Sequence, residues 1–129
     1  MAKEIEQKYI INSINSSELI HEPFAHKLVR NVFSDNYYQS LLKFLPSKDK
    51  YIPIVETGSV SRNYSPERYV FSFTKENLNK LSKEQKNFFI DLEKILFSGK
   101  LFHSTTKMFE SALKNRIKNF SKKEIEMMG

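Results

Sequence analysis

Apolar positions recur at helical spacing in three stretches of the chain and alternate at strand spacing in one. The clearest helical stripe runs Phe88, Phe89, Leu92, Ile95 and Leu96. It opens on Ser82 with Gln85 three residues later, the reciprocal pairing of a capping box, and Gly99 reads as its stop. A second stripe follows from about Leu101, with Phe102, Thr105, Met108, Phe109, Ala112, Leu113, Arg116, Ile117 and Phe120 on one predicted face. Earlier, Ser34 or Asp35 is placed to cap a helix through about Leu45, where Pro46 ends it. Tyr38, Leu41, Leu42 and Leu45 form its predicted face, with Phe33 as a staple onto Tyr38. Arg68–Phe73 alternates, Tyr69, Phe71 and Phe73 against Arg68, Val70 and Ser72, and predicts a half-buried strand.

The remaining stretches are read from local chemistry. Glu22–Phe33 carries the β-branched Val29 and Val32 and a proline near its start, and predicts a strand. Tyr51–Val55 predicts an edge strand, because Pro53 has no N–H for a central ladder. Thr57–Pro66 is polar and predicts a surface loop. Near the start, Asn12-Ser13 and Asn15-Ser16-Ser17 compete for backbone hydrogen bonds and predict a short helix followed by a loop. The fold class expected is α+β and helix-rich: three to four helices packed on a small sheet of two to three strands. The expected organisation is an N-terminal extension over 1–20, a single domain over 21–120 and a tail over 121–129.

Composition narrows the field. A chain of 129 residues, 40% hydrophobic and 13% aromatic, has the apolar surface for one core, which excludes wholesale disorder. It has no cysteine, so disulfides, thiolate nucleophiles and cysteine-based metal sites are excluded. No apolar run approaches the roughly 20 residues of a membrane-spanning helix, and the N-terminus lacks a signal-peptide pattern. A cytoplasmic protein without membrane partners is expected. The formal charge is +6, but only four of the 21 basic residues are arginine. Nucleic-acid readers favour arginine forks in a localised stripe. The densest basic run, Lys114, Arg116, Lys118, Lys122 and Lys123, is followed by Glu124 and Glu126 and reads as a solvated face.

Candidate chemistry is sparse. A metal set would have to assemble in space from His21 or His26 with Asp35 and His103, since no ligand spacing along the chain favours one. Gly58, Gly99 and Gly129 are isolated, so there is no phosphate-cradling loop. No serine stands in a nucleophile elbow. Asp91 and Glu93 lie on a helix whose other face is apolar, and read as solvated. Tyr69, Phe71 and Phe73 with Arg62 and Arg68 imitate a base-stacking platform, but lack the glycine-aromatic signature of such modules. Tyr37-Tyr38 and Phe88-Phe89 read as core.

One pattern is more specific. Pro23, Phe24, His26, Leu28, Val29, Asn31, Val32 and Phe33, followed by Tyr38, Leu41, Leu45 and Pro46, resembles the entry to prolyl-hydroxylase-like 2-oxoglutarate/Fe(II)-dependent oxygenases. Arg68-Tyr69-Val70-Phe71 is similar to the strand that follows there, and Phe88–Phe102 to that family's next helical pair. Phe109 and Arg116 match the helix preceding its catalytic barrel, so the resemblance covers about residues 20–117. It implies the N-terminal part of a double-stranded β-helix fold. In that family His-x-Asp and a distal His hold iron, leaving positions open for 2-oxoglutarate and oxygen, and a late Arg or Lys pairs with the cosubstrate. All of these follow the helices matched here. The resemblance therefore assigns no catalytic, cofactor-binding or metal-binding residue to this chain; Fe(II) and 2-oxoglutarate are implied only for a longer parent.

Three readings follow in order. The first is the non-catalytic N-terminal portion of such an oxygenase, inert as an enzyme in this form. The second is a small self-associating interaction module, a homodimer joined through a strand edge or an exposed apolar face. The third is a basic nucleic-acid-binding domain.

Overall fold

A computed structural model describes the backbone of residues 2–117. In chain order the elements are α1 (Ala2–Ser16), α2 (Asp35–Phe44), a 3₁₀ turn at Lys48–Lys50, β1 (Ile52–Pro53) and a second 3₁₀ turn at Ile54–Thr57. Then come β2 (Tyr69–Val70), α3 (Lys75–Leu78), α4 (Lys83–Leu96), α5 (Gly99–Met108) and α6 (Glu110–Ile117). The α+β, helix-rich class expected is the class found, with more and shorter helices and one two-stranded antiparallel sheet. The backbone groups into two compact units: residues up to Asp35 together with those from Ile95 onward, and Asn36–Lys94.

In the first unit, α1 packs against α5. Glu6 and Ile10, four residues apart, share its buried face. Contrary to the sequence expectation the helix runs through Asn12-Ser13, and it ends in the second pair, at Ser16. The Ser16 hydroxyl donates to the Asn12 carbonyl and that of Ser17 to the Ser13 carbonyl, both at 2.8 Å. These bonds satisfy the competing side chains within the helix itself. The Lys27 ammonium then donates to the Ile14 carbonyl at 3.0 Å, closing the C-terminal turn.

The expected strand over Glu22–Phe33 is not there. One isolated antiparallel bridge joins Ile20 to His26, through backbone bonds of 2.9 and 2.8 Å, around a turn holding a cis Glu22–Pro23 bond. Asn31, at φ 54°, takes the left-handed conformation that asparagine tolerates and ends any extended run. β-branched composition without a neighbouring strand to pair with makes a loop.

In the second unit, β1 and β2 pair antiparallel with Ile52 opposite Val70 and Pro53 opposite Tyr69. The Ile54 N–H donates to the Arg68 carbonyl at 2.8 Å, after which the chain turns into a 3₁₀ helix. Gly58 follows at φ 77°, where a side chain would strain the backbone although no atom lies near a would-be Cβ. The predicted strand over Arg68–Phe73 pairs only at Tyr69–Val70. Phe71 and Phe73 leave the ladder and join an aromatic chain: Tyr51–Phe71, Phe71–Phe73, Phe73–Phe89 and Phe89–Phe88 ring centroids lie 5.4 to 6.4 Å apart. Phe88 continues to Tyr37 and Phe44 of α2, at 5.0 and 5.2 Å. Ile54, Leu78, Phe89 and Leu92 are the buried residues of this core.

The inward face of α2 therefore carries Tyr37, Leu41 and Phe44; Leu41 was expected there, while the expected Tyr38, Leu42 and Leu45 are exposed. The capping box is present as read. The Gln85 N–H donates to the Ser82 hydroxyl at 3.2 Å, and the Gln85 side-chain oxygen accepts from the Ser82 N–H at 3.1 Å. The Gln85 amide nitrogen also donates to the Phe44 carbonyl at 3.2 Å, so one side chain secures the start of α4 and the end of α2. α3 was missing from the sequence reading; Thr74 caps it by accepting from the Asn77 N–H.

Candidate interaction surface

The helical corner after α4 is built by Ser98. Its hydroxyl accepts from the Leu101 N–H at 3.1 Å and starts α5. Gly99 is thus the first residue of the next helix and not a stop, because the serine before it supplies a stronger signal than the glycine. The second break, at Phe109, divides the single expected helix into α5 and α6. Phe120 and the tail 121–129 lie outside the described residues.

This corner turns apolar side chains into solvent. Phe97 is 82% exposed, Phe102 71% and Leu96 43%. With Leu101 and Thr105 they line an open hollow of about 420 Å³. Thr105 bonds back to the Leu101 carbonyl at 2.9 Å, which leaves little polar character on that wall. In the same unit Ile5, Phe24 and Leu28 are also largely exposed. Large apolar side chains in contiguous groups mark an interaction surface. The half-buried residues of α5 are Leu101, Ser104, Thr106 and Met108; of the predicted face Met108 is among them, while Phe102 and Thr105 are exposed.

The candidate chemistry of the sequence does not converge. Among the described residues no three His, Asp or Glu side chains stand close enough to share a metal ion, so His21, His26, Asp35 and His103 form no ligand set. Among the described residues no group fits an iron site. His26 is engaged locally: its Nδ1 donates to the Phe24 carbonyl at 2.6 Å, and its ring lies 5.1 Å from that of Phe24. His21 and His103 are exposed. Asp91 is exposed and Glu93 half-buried.

The base-stacking arrangement is absent for a simple reason. Phe71 and Phe73 belong to the aromatic chain, leaving Tyr69 as the one exposed ring of the three. Arg68 donates to the Tyr64 hydroxyl at 2.9 Å.

One buried carboxylate was not singled out from the sequence. Glu6, 4% exposed, accepts from the Ser34 N–H at 2.9 Å and from the Ser34 hydroxyl at 2.6 Å. A carboxylate at position 6 with a serine 28 residues away gives no local signal. Both its oxygens are occupied by structural bonds, so it fastens the loop end to α1. The exposed Asp49 is held below the usual carboxylate range by the Ser47 hydroxyl, and the exposed Glu110 by the Lys114 ammonium 2.9 Å away.

A scan against protein-family profiles, a search of curated proteins and a search of solved structures return no match to this chain. No helix among the described residues is long and apolar enough to cross a membrane.

Proposed function

We propose that the chain is the non-catalytic N-terminal portion of a prolyl-hydroxylase-like 2-oxoglutarate/Fe(II)-dependent oxygenase: a helical scaffold whose apolar surface is covered by the catalytic barrel of a longer protein. The observation that supports this most is the exposed corner of Leu96, Phe97 and Phe102. Its residues fall within the stretch Phe88–Phe102 that resembles the family's helical pair. Leaving such side chains in water forgoes roughly 1.5–3 kcal/mol each, and a covering partner recovers it. In this reading the scaffold contributes packing and not chemistry.

The test is the coding sequence beyond the Gly129 codon. An in-frame continuation with His-x-Asp, a later His and a basic residue, within the roughly 100–150 residues of a further domain, is the expected result. A stop codon there, or a continuation without those residues, removes the proposal. The same exposed corner favours a second reading, a self-associating module in which another copy covers Phe97 and Phe102. Sedimentation of the purified chain separates the two. Self-association lost in Phe97→Ser/Phe102→Ser supports the module, and a monomer at high concentration rejects it.

A further inference from the structure

A second hollow lies on the first unit and shares no lining residue with the apolar corner. It has a volume of about 440 Å³ and is lined by Asn15, Lys27, His103, Ser104, Lys107 and Met108. Its walls are the last turn of α1, the loop carrying Lys27, and one face of α5, on which His103 and Lys107 stand one turn apart. Three of the six lining side chains are basic and none is acidic. The others offer a hydroxyl, an amide and the half-buried Met108.

Lys27 sets this hollow apart from a scatter of surface lysines. Its ammonium is fixed by the 3.0 Å bond to the Ile14 carbonyl, and the side chain is half-buried. The entropy of ordering a long flexible cation is already lost in the folded chain, so a ligand need not supply it. An ammonium has three donors, and this bond uses one.

His103 and Lys107 also border a neighbouring hollow of about 460 Å³ that contains Glu110 and Lys114. There the 2.9 Å pairing with Lys114 occupies the carboxylate, and Lys107 adds to its stabilisation. Charge is thus largely balanced on one side of the His103–Lys107 ridge and unbalanced on the other.

We propose that the hollow of Lys27, His103 and Lys107 binds the phosphate group of a small phosphorylated molecule. A tetrahedral oxyanion presents three or four acceptor oxygens at once. Donors approaching from the α1 turn, the Lys27 loop and α5 suit it better than they suit a planar carboxylate. The volume leaves room for the organic part against Met108. This proposal does not rest on the oxygenase reading.

The probe is inorganic phosphate, titrated into the ¹⁵N-labelled chain against chloride at matched ionic strength, so that general screening cancels. Saturable shifts grouped at Asn15, Lys27 and residues 103–108 are expected. Lys107→Ala should weaken the phosphate response by roughly tenfold, the scale of one lost charge-assisted bond. Lys83→Ala, on α4, should leave it unchanged. Equal responses to phosphate and chloride, or equal loss in the Lys107 and Lys83 variants, overturn the site. Should Lys107→Ala perturb the fold, the His103 ring signals of the unmodified chain decide the matter: the site requires that they move saturably with phosphate and not with chloride.

Discussion

The two units reach order by different means. In Asn36–Lys94 an unbroken aromatic chain runs from Tyr51 through Phe71, Phe73, Phe89 and Phe88 to Tyr37 and Phe44, and a doubly engaged Gln85 ties helix ends together. The other unit has Ile10 and Ile95 fully covered, but it relies on polar fastenings: Glu6 to Ser34 and Lys27 to Ile14. It also carries the most exposed apolar side chains, Phe97 and Phe102 above all. A region whose loops are pinned by hydrogen bonds while its large apolar residues face water keeps its order without covering them. A region whose rings face one another is shaped to hold itself.

This contrast can be broken most forcefully at Phe89, 3% exposed and in ring contact with both Phe73 and Phe88. Phe89→Ala should cost about 3–5 kcal/mol in urea unfolding; a loss below about 1 kcal/mol would mean the aromatic chain does not carry this unit. Glu6→Ala tests the polar fastening. It strands the Ser34 donors and should cost roughly 1–3 kcal/mol, with faster amide exchange at Ser34. Unchanged Ser34 exchange would show the bond to be incidental. Gln85→Ala removes the return bond to the Ser82 N–H and the link to Phe44, for a smaller loss of about 1 kcal/mol. If Gln85→Glu matches the parent, the amide donor to Phe44 contributes nothing.

Phe97→Ser/Phe102→Ser sharpens the comparison by doing little. Stability should stay within about 0.5 kcal/mol while binding of a hydrophobic dye falls. A large destabilisation would assign those rings to the unit's own core. The smallest effect belongs to Glu110–Lys114. The glutamate's folded value is depressed, so its contribution is present above the ordinary value of 4.5 and is lost as pH falls through the folded one. Because both groups are exposed, Lys114→Ala should leave the unfolding midpoint unchanged at neutral and at acid pH. A clear midpoint shift at neutral pH would point to a stronger role for Lys114.

What was legible in the sequence is what is decided locally. Ser82 and Gln85 define the start of α4 within three residues, and Asp35 and Pro46 bracket α2 in the same way. The inward face of α2 was not legible. Apolar residues at 37, 38, 41, 42, 44 and 45 cover both candidate faces, and it is Phe88, more than forty residues on, that selects Tyr37 and Phe44. The strand expected over Glu22–Phe33 failed because composition cannot reveal whether a pairing partner exists. The break at Phe109 carries no glycine or proline to announce it. The exposed corner was hidden for a related reason: Phe97 and Phe102 look like core in any pattern, and only the turn made at Ser98 brings them out.

Gly58 has a consequence in terms of handedness. Its φ of 77° is the mirror image of what an L-residue prefers, and the space around it is open. The position therefore selects by chirality and not by size. In a chemically synthesised chain, D-alanine at 58 should fit the turn after Ile54–Thr57 and stiffen the unfolded polypeptide, while L-alanine should strain the folded one. A pair of stereoisomers differing at one carbon would then melt at different temperatures, on opposite sides of the glycine parent.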